Sequence, residues 1–453
     1  MRTKDFLSFV QHTDVTTGYI PARRDRIARF GLVSELGSIL SALKKVILRA
    51  ESGSLASHIT KGELRAELGD ALWYVGMCTN IFYNGEDIFS ECLDDLKSMH
   101  CGVLADPERV EQVGSEKIRI FEKDKAVFDA DKTLDNFQLA AFGTRRTEGD
   151  ELRDVCVAVL QQLSAQLVRC YMPESEKKKI NTEVKPKSDR NIIIETTWHL
   201  AALATLNDLK LSSILKALKT KTDFRGGLSQ SVRRDEAFRE QESFPERFEI
   251  AFVPSAKSND VSEMFWLRED GYHLKLGASL KDNHSDGDGY RYHDAIHVAF
   301  AVHLGWSPNL RKFMNLKRKS DERTDDNEDG GRAAILEEMI ILHIHTYASK
   351  LKSYINEAKG APLQKQLAKS PFDDPSVLTF EFVRALHELS IGYEVHDSKE
   401  ADWRNAICAG YEMYIRLQDA GGVLEANMKD RILKFRPLSD AERLSTVGSG
   451  ESA

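Results

Sequence analysis

The sequence predicts a mainly α-helical chain: two helical bundles in tandem, then a mostly helical C-terminal module with a short β-hairpin. Three observations lead there. Apolar residues recur at the 3.6-residue period of amphipathic helices over long stretches. Eleven prolines are spread over 453 residues. Two helical segments, Gly31-Leu-Val-Ser-Glu35-Leu-Gly-Ser38 and Glu63-Leu-Arg-Ala-Glu67-Leu-Gly-Asp70-Ala-Leu-Trp73-Tyr74, are echoed further along the chain. The length suits roughly two to four domains with ample core.

Composition narrows the function classes. The apolar fraction of 42% and charged fraction of 30% are those of a soluble globular protein. No run of about 18 apolar residues occurs, so no membrane span is expected. Met1-Arg-Thr-Lys-Asp5 lacks the apolar core of a signal peptide. Cys78, Cys92, Cys101, Cys156, Cys170 and Cys408 form no CxxC pair and read as reduced thiols of a cytoplasmic protein. A net charge of −8 argues against general nucleic-acid binding.

Residues 1–103 read as the first bundle: an entry helix around Phe6 to Gln11, the Glu35 helix, the Glu67/Asp70 helix and a last helix from Glu86 to Met99. Glu67 and Asp70 stand three apart and share a face, beside Leu68, Leu72, Trp73 and Val75. Charge placed there is costly unless neutralised, and a divalent cation bound to oxygens and to substrate phosphates would neutralise it. Glu35 supplies a third carboxylate if the two helices pack antiparallel. The competing reading is a helix pair with ordinary surface acids.

These two segments resemble the MazG-like all-alpha nucleoside triphosphate pyrophosphohydrolases, whose pattern is close to G-L-x-G-E-x-x-E on one helix and E-E-L-G-D-x-L-W-Y on the next. Glu67 and Asp70 fall on the ExxD positions, with Gly69, Leu72, Trp73 and Tyr74 in register. Asp94-Asp-Leu-Lys97 is similar to the later N-x-x-K, with Asp in place of Asn. Ser38 stands where the first motif has its second Glu. The resemblance implies a helical fold, helical dimers or tetramers, Mg²⁺ (or Mn²⁺) as cofactor, and Glu35, Glu67 and Asp70 as metal ligands and catalytic carboxylates.

Residues 104–130 are charged and weakly patterned, a linker or a solvated helix. Residues 131–230 read as a degenerate repeat of the first bundle. Leu134-Asp-Asn-Phe-Gln138 echoes the entry helix, Leu152 to Arg169 the Glu35 helix, Ile192 to Ala202 the Asp70–Val75 segment, and Leu209 to Lys221 closes the unit. Glu195 then aligns with Asp70 and Trp198 with Trp73, while Ile192 replaces Glu67 and Gln162 and Ala165 replace Glu35 and Ser38. One carboxylate of four holds no divalent ion, so this copy reads as structural and the tandem pair as an intrachain pseudo-dimer. The basic stretch Glu176 to Lys187 reads as a solvated loop.

Residues 240–437 differ in character. Pro245 to Val253 and His273 to Ala278 alternate as short strands of a hairpin. Asn283 to Gly289 is a loop. It leads into Tyr290-Arg-Tyr-His293-Asp294-Ala-Ile-His297, which puts two histidines one helical turn apart. Glu337 and Glu338 lie within an apolar helix, and the roughly 100° step between neighbours turns at least one of them to the core. Lys317, Arg318 and Lys319 lie between the two clusters in sequence. His293, Asp294, His297 and Glu338 as metal ligands, Glu337 and Glu338 as catalytic carboxylates, and the three cations as phosphate partners make a second candidate centre. The competing reading is a buried ion-pair network of Arg291 or Arg332 with Asp294 and Glu338. Y-R-x-H-D, L-G-W-S-P, K-R-K-S-D, E-D-G-x-R-A and E-E, all present here, resemble the C-terminal region of bacterial MazG-like proteins over roughly residues 244–435. Residues 438–453 read as a disordered tail.

The expectation is a cytoplasmic, Mg²⁺-dependent pyrophosphohydrolase that converts a nucleoside triphosphate to NMP or dNMP and pyrophosphate, in nucleotide pool cleansing or antiviral defence. Lys44, Lys45 and Lys97 offset phosphate charge, and Trp73 packs near the base or fills core. The alternative is a non-catalytic nucleotide-sensing or scaffold protein that regulates an effector partner. A homodimer is compatible with either.

Overall fold

The computed structural model describes residues 1–49, 55–94, 115–177, 187–230, 232–255, 261–268, 271–282, 287–357 and 370–443. The chain divides into two compact units, Met1–Asp223 and Phe224–Ala453.

The first unit is helical: α1 (Thr3–Thr13), α2 (Pro21–Arg49), α3 (Leu55–Tyr83), α4 (Ile88–Asp94), α5 (Ser115–Ala130), α6 (Leu134–Gly143), α7 (Gly149–Val168), α8 (Glu174–Lys177), α9 (Asp189–Leu206) and α10 (Leu211–Arg225). Leu32, Leu36, Ile39 and Leu43 on α2, and Leu64, Leu68, Ala71, Leu72 and Val75 on α3, recur at helical spacing and are buried. The two helices run antiparallel. Gly31 lies against Tyr74, Glu35 beside Glu67 and Asp70, and Lys45 beside Glu63, so numbers rise on one as they fall on the other. The register rests on Gly31, where a Cβ would fall 2.0 Å from Tyr74 Cε1. Helix α9 is buried on every face from Ile192 to Ala204, the polar Glu195, Thr196, Thr197 and His199 included.

Two kinds of contact occur twice in this unit. Thr3 N donates to Lys132 O at 2.9 Å and Leu134 N to Met1 O at 3.2 Å, with Arg2 and Thr133 bridged between them. Trp73 Nε1 donates to Thr13 Oγ1, and Trp198 Nε1 to Thr144 Oγ1, both at 2.9 Å.

Two sequence expectations change here, and a third falls partly outside the described residues. The linker expected over 104–130 holds helix α5 from Ser115 to Ala130, because Phe121 and Phe128, two turns apart, share a buried face. Residues 104–114 lie outside the described residues, as do 95–99 of the helix expected from Glu86 to Met99, whose described part is α4. Of the basic stretch 176–187, residues 178–186 lie outside the described residues, and Lys187 pairs with the buried Glu195 instead of lining a solvated loop.

The second unit joins helices to a five-stranded antiparallel sheet: β1 (Arg247–Pro254), β2 (Val261–Leu267), β3 (His273–Lys281), β4 (Gly422–Asn427) and β5 (Ile432–Arg436), in the order β3-β2-β1-β4-β5. The expected hairpin is thus corrected. The two strands read from sequence are β1 and β3, and both pair with β2 between them, with Ile250 opposite Trp266 and Trp266 opposite Leu274. On its other edge β1 pairs with β4, Ile250 opposite Leu424. The helices are α11 (Asp294–Leu304), α12 (Pro308–Phe313), α13 (Glu322–Asn327), α14 (Gly331–Glu357), α15 (Phe380–Leu389) and α16 (Glu400–Ala420). Every residue of α11 is buried, and Gly410 of α16 lets it approach Ala299 and Ile296 of α11. Of residues 438–453, only 438–443 are described, and there Leu438 is buried and Glu442 pairs with Arg436.

Gly305 ends α11 at φ 64°, and a Cβ there would fall 1.5 Å from the carbonyl oxygen of Val232. Gly305→Ala therefore combines left-handed strain with a backbone collision. It is expected to lower the stability of the second unit by roughly 2 kcal/mol or more, read as an earlier thermal transition.

Candidate functional site

The first cluster is built by the α2/α3 pair. Glu35 occupies the half-buried edge of α2 between Leu32 and Leu36, and Glu67 and Asp70 sit one turn apart on α3 beside Leu68. One ligand atom from each of Glu35, Glu67 and Asp70 falls within 4.8 Å of the others. A cleft of about 530 Å³ adjoins Glu35, lined by Arg23, Arg26, Ile27, Phe30, Gly31, Ser34 and Tyr74. Lys221 of α10 places Nζ 2.5 Å from Asp70 Oδ2.

The other residues expected here are distributed as follows. Ser38 is half-buried one turn beyond Glu35. Lys45 is engaged with Glu63 at 2.8 Å, Lys44 is exposed, and Lys97 lies outside the described residues. Trp73 is half-buried, held edge-on by Tyr74 at 5.1 Å and by its bond to Thr13, so it fills core at the foot of α1. Sequence reasoning passed over Lys221, Arg23 and Arg26. Arg23 and Arg26 belong to a charged first turn, and Lys221 to a helix carrying several lysines, so pattern alone singles out none of them.

The second cluster joins the start of α11 to the first turns of α14. His293 Nε2 lies 3.4 Å from Glu338 Oε2, and His297 Nε2 3.1 Å from Glu338 Oε1. His297 Nδ1 lies 2.7 Å from Glu337 Oε1, an approach too bent for a hydrogen bond but close enough for strong charge pairing. Asp294 Oδ1 stands 3.9 Å from His297 Nε2. Glu337 is fully buried and accepts from Ser307 Oγ at 2.6 Å and from the Asn309 backbone N–H at 3.0 Å. Ser307 also caps α12, ahead of Pro308 at its first turn.

Electrostatics follow from these partners. Burial pulls His297 toward its neutral form, but the carboxylates of Glu337 and Glu338 outweigh it and hold its pKa well above 6.5. Burial likewise lowers His293, and Asp294 with Glu338 reverses the sign and raises it. Burial would raise the Glu338 carboxyl, yet hydrogen bonds from His293 and His297 hold it well below the usual range. Arg291 is engaged with Asp282 at 3.0 Å and Arg332 is exposed, so the arginine network with Asp294 and Glu338 does not form.

Residues 229–439 match the family model of the MazG C-terminal domain. This match supports a MazG-related family for the chain. No curated protein and no solved structure matches the sequence. Within the matched residues, His293 at the cap of α11 and His297 on it face the Glu337–Glu338 pair on α14, and His293, His297 and Glu338 bring ligand atoms within 4.8 Å of one another.

The basic run Lys317 to Lys319, within the matched residues, is a correction. Arg318 was expected to meet phosphate, but it is fully buried. It donates to Asp329 at 2.7 and 3.1 Å and to Glu394 at 2.8 and 3.0 Å. With its remaining N–H given to the Arg234 carbonyl oxygen at 3.1 Å, the guanidinium has no donor left for a substrate. Lys317 lies 3.6 Å from Asp325, and Lys319 is exposed. Arg318→Met leaves two carboxylates without their cation and is expected to cost about 3–5 kcal/mol in denaturant unfolding. Lys319→Ala is expected to change stability by less than about 0.5 kcal/mol.

Proposed function

We propose that the first unit carries a Mg²⁺-dependent nucleoside triphosphate pyrophosphohydrolase centre, releasing NMP or dNMP and pyrophosphate. The observation that carries this reading is the convergence of Glu35, Glu67 and Asp70 from two packed helices to within 4.8 Å. The donor set fits the ion: three carboxylates offer only oxygen, which hard cations prefer. Bound there, Mg²⁺ would polarise a phosphoryl oxygen and make water a better nucleophile. Arg23 and Arg26, on the cleft that adjoins Glu35, offset the charge of the triphosphate. Lys221 holds the Asp70 carboxylate in place and lies within reach of phosphate oxygen. One of Glu35, Glu67 and Asp70 would orient the attacking water as general base. The MazG C-terminal match agrees with nucleotide chemistry at the level of the family.

The tandem reading of this unit draws support from the reciprocal bonds of Thr3 with Lys132 and Leu134 with Met1. Trp73 and Trp198 each donate the indole N–H to a threonine hydroxyl, of Thr13 and Thr144. In that reading the second copy is structural. Where the first has Glu67 and Asp70, it has the buried Ile192, and Glu195 already paired with Lys187.

One observation favours the rival sensor reading. The Lys221 ammonium sits on Asp70 as an internal cation, beside a motif that has Ser38 where a fourth carboxylate is expected. A protein that binds nucleotide without turnover would then signal to an effector partner.

The test presents the eight common NTPs and dNTPs with Mg²⁺ to wild type and Glu67→Ala, resolving monophosphate, diphosphate, pyrophosphate and phosphate. Wild type is expected to yield monophosphate and pyrophosphate, with the rate reduced about a hundredfold or more in Glu67→Ala. Nucleotide binding without products would replace this reading with the sensor. Equal rates in the two proteins would remove the carboxylate cluster from the chemistry.

A further inference from the structure

We propose that His293, His297 and Glu338 form a second metal centre, selective for a first-row divalent transition ion of the Zn²⁺ class rather than Mg²⁺. It is independent of the pyrophosphohydrolase reading and lies in the other unit of the chain.

Donor chemistry comes first. Two imidazole nitrogens with one carboxylate suit Zn²⁺, Fe²⁺ or Mn²⁺, whereas Mg²⁺ favours oxygen alone. Three protein ligands with a remaining open position is the arrangement of catalytic rather than structural zinc.

Geometry agrees. Ligand bonds of about 2.0–2.2 Å at tetrahedral or octahedral angles separate neighbouring donors by roughly 3.0–3.5 Å. The two Nε2 atoms stand 3.4 and 3.1 Å from separate oxygens of Glu338. Both histidines present the same nitrogen because the other is engaged. His293 Nδ1 lies 2.8 Å from the carbonyl oxygen of Tyr290 and so carries the proton. His297 Nδ1 faces Glu337 at 2.7 Å, and Glu337 is itself oriented by Ser307 and Asn309. A hydrogen bond from Nδ1 to a carbonyl is the support metal-bound histidines normally have, and it fixes His293 with its Nε2 lone pair outward, while the Glu337 carboxylate stands behind His297 through charge alone.

Charge supplies the third argument. Three carboxylates, of Glu337, Glu338 and Asp294, approach His297 at 2.7, 3.1 and 3.9 Å. Asp294 and Glu337 are buried. Ion pairing with imidazolium leaves an excess of buried negative charge, which is costly, and a divalent ion cancels it. The Glu338 side chain is 42% exposed, so water or a substrate oxygen can reach the open position.

The test uses the full chain stripped with chelator and returned to excess Mg²⁺, which saturates oxygen-only sites. Zn²⁺ is then titrated alone by equilibrium dialysis, and Co²⁺ by visible absorption, for wild type, Glu338→Gln, His293→Gln and Glu67→Ala. Wild type and Glu67→Ala are expected to take up one Zn²⁺ per chain and to show the d–d bands of nitrogen-ligated Co²⁺. Glu338→Gln and His293→Gln are expected to bind at least tenfold more weakly. Circular dichroism reports whether the variants fold. Histidine-ring ¹⁵N spectra of wild type give a readout free of mutation, in which Zn²⁺ is expected to shift two Nε2 resonances. Absence of Zn²⁺ uptake by wild type, uptake lost only in Glu67→Ala, unchanged affinity in folded Glu338→Gln and His293→Gln, or unshifted histidine resonances would each overturn the proposal. None of these readouts depends on nucleotide hydrolysis, so failure here and failure of the first centre are distinguishable.

Discussion

Buried charge must be matched by charge, and this constraint organises both units. In the second, Arg318 draws together Asp329 and Glu394, while Arg311 holds Asp235. The Arg318–Glu394 and Arg311–Asp235 pairs link segments 76 residues apart in sequence. In the first, the buried Arg29 bonds both Asp25 and Asp189, and Lys187 meets Glu195. Removing either member of such a pair strands the other in a medium that solvates it poorly. These contacts therefore specify which helices meet and in what register, whatever their net contribution to stability.

The two candidate centres are the places where this matching takes another form. Around Glu35, Glu67 and Asp70 three acids face one another, with Lys221 meeting Asp70. Around His297 the acids outnumber the imidazoles. Both clusters are assembled from two helices, so each depends on packing well away from the charged groups. Gly31 against Tyr74 sets the α2/α3 register, and Ser307 at the head of α12 orients Glu337. The donor sets differ in kind, oxygen alone in one and nitrogen with oxygen in the other, so each centre would select a different ion from the same solution.

Much of this was legible in the sequence. Helical periodicity marked α2, α3 and α9, and the i,i+3 and i,i+4 spacings marked Glu67/Asp70 and His293/His297, because helix geometry makes such residues neighbours. Strand β2 was missed because its alternation is short and lies in what reads as a loop. Strands β4 and β5 were missed because they follow a long helix: β4 pairs with β1 across most of the unit, and β5 pairs with β4. Arg318 was misjudged for a related reason: a basic run looks solvated until Asp329 and Glu394 are brought to it by the fold. Lys221 carries no local mark at all, since its importance lies in standing opposite Asp70 at a distance of many residues along the chain. Spacing within a helix is written in the sequence; company between helices is not.

The adjacency of Glu337 and Glu338 also bears on how this gene can change over time. One acid faces inward to His297 and Ser307, the other outward to the histidine pair, and the 100° step of the helix is all that distinguishes them. A one-residue insertion between Gly331 and Leu336 would move Leu336 and Glu337 into the places of Glu337 and Glu338, and a deletion would move Glu338 and Met339 there, so either change puts an apolar residue in place of one acid. Ile335 and Met339 on the same helix are exposed and free to drift in identity. Lineages that keep the histidine pair can thus vary the letters of this helix far more readily than its length.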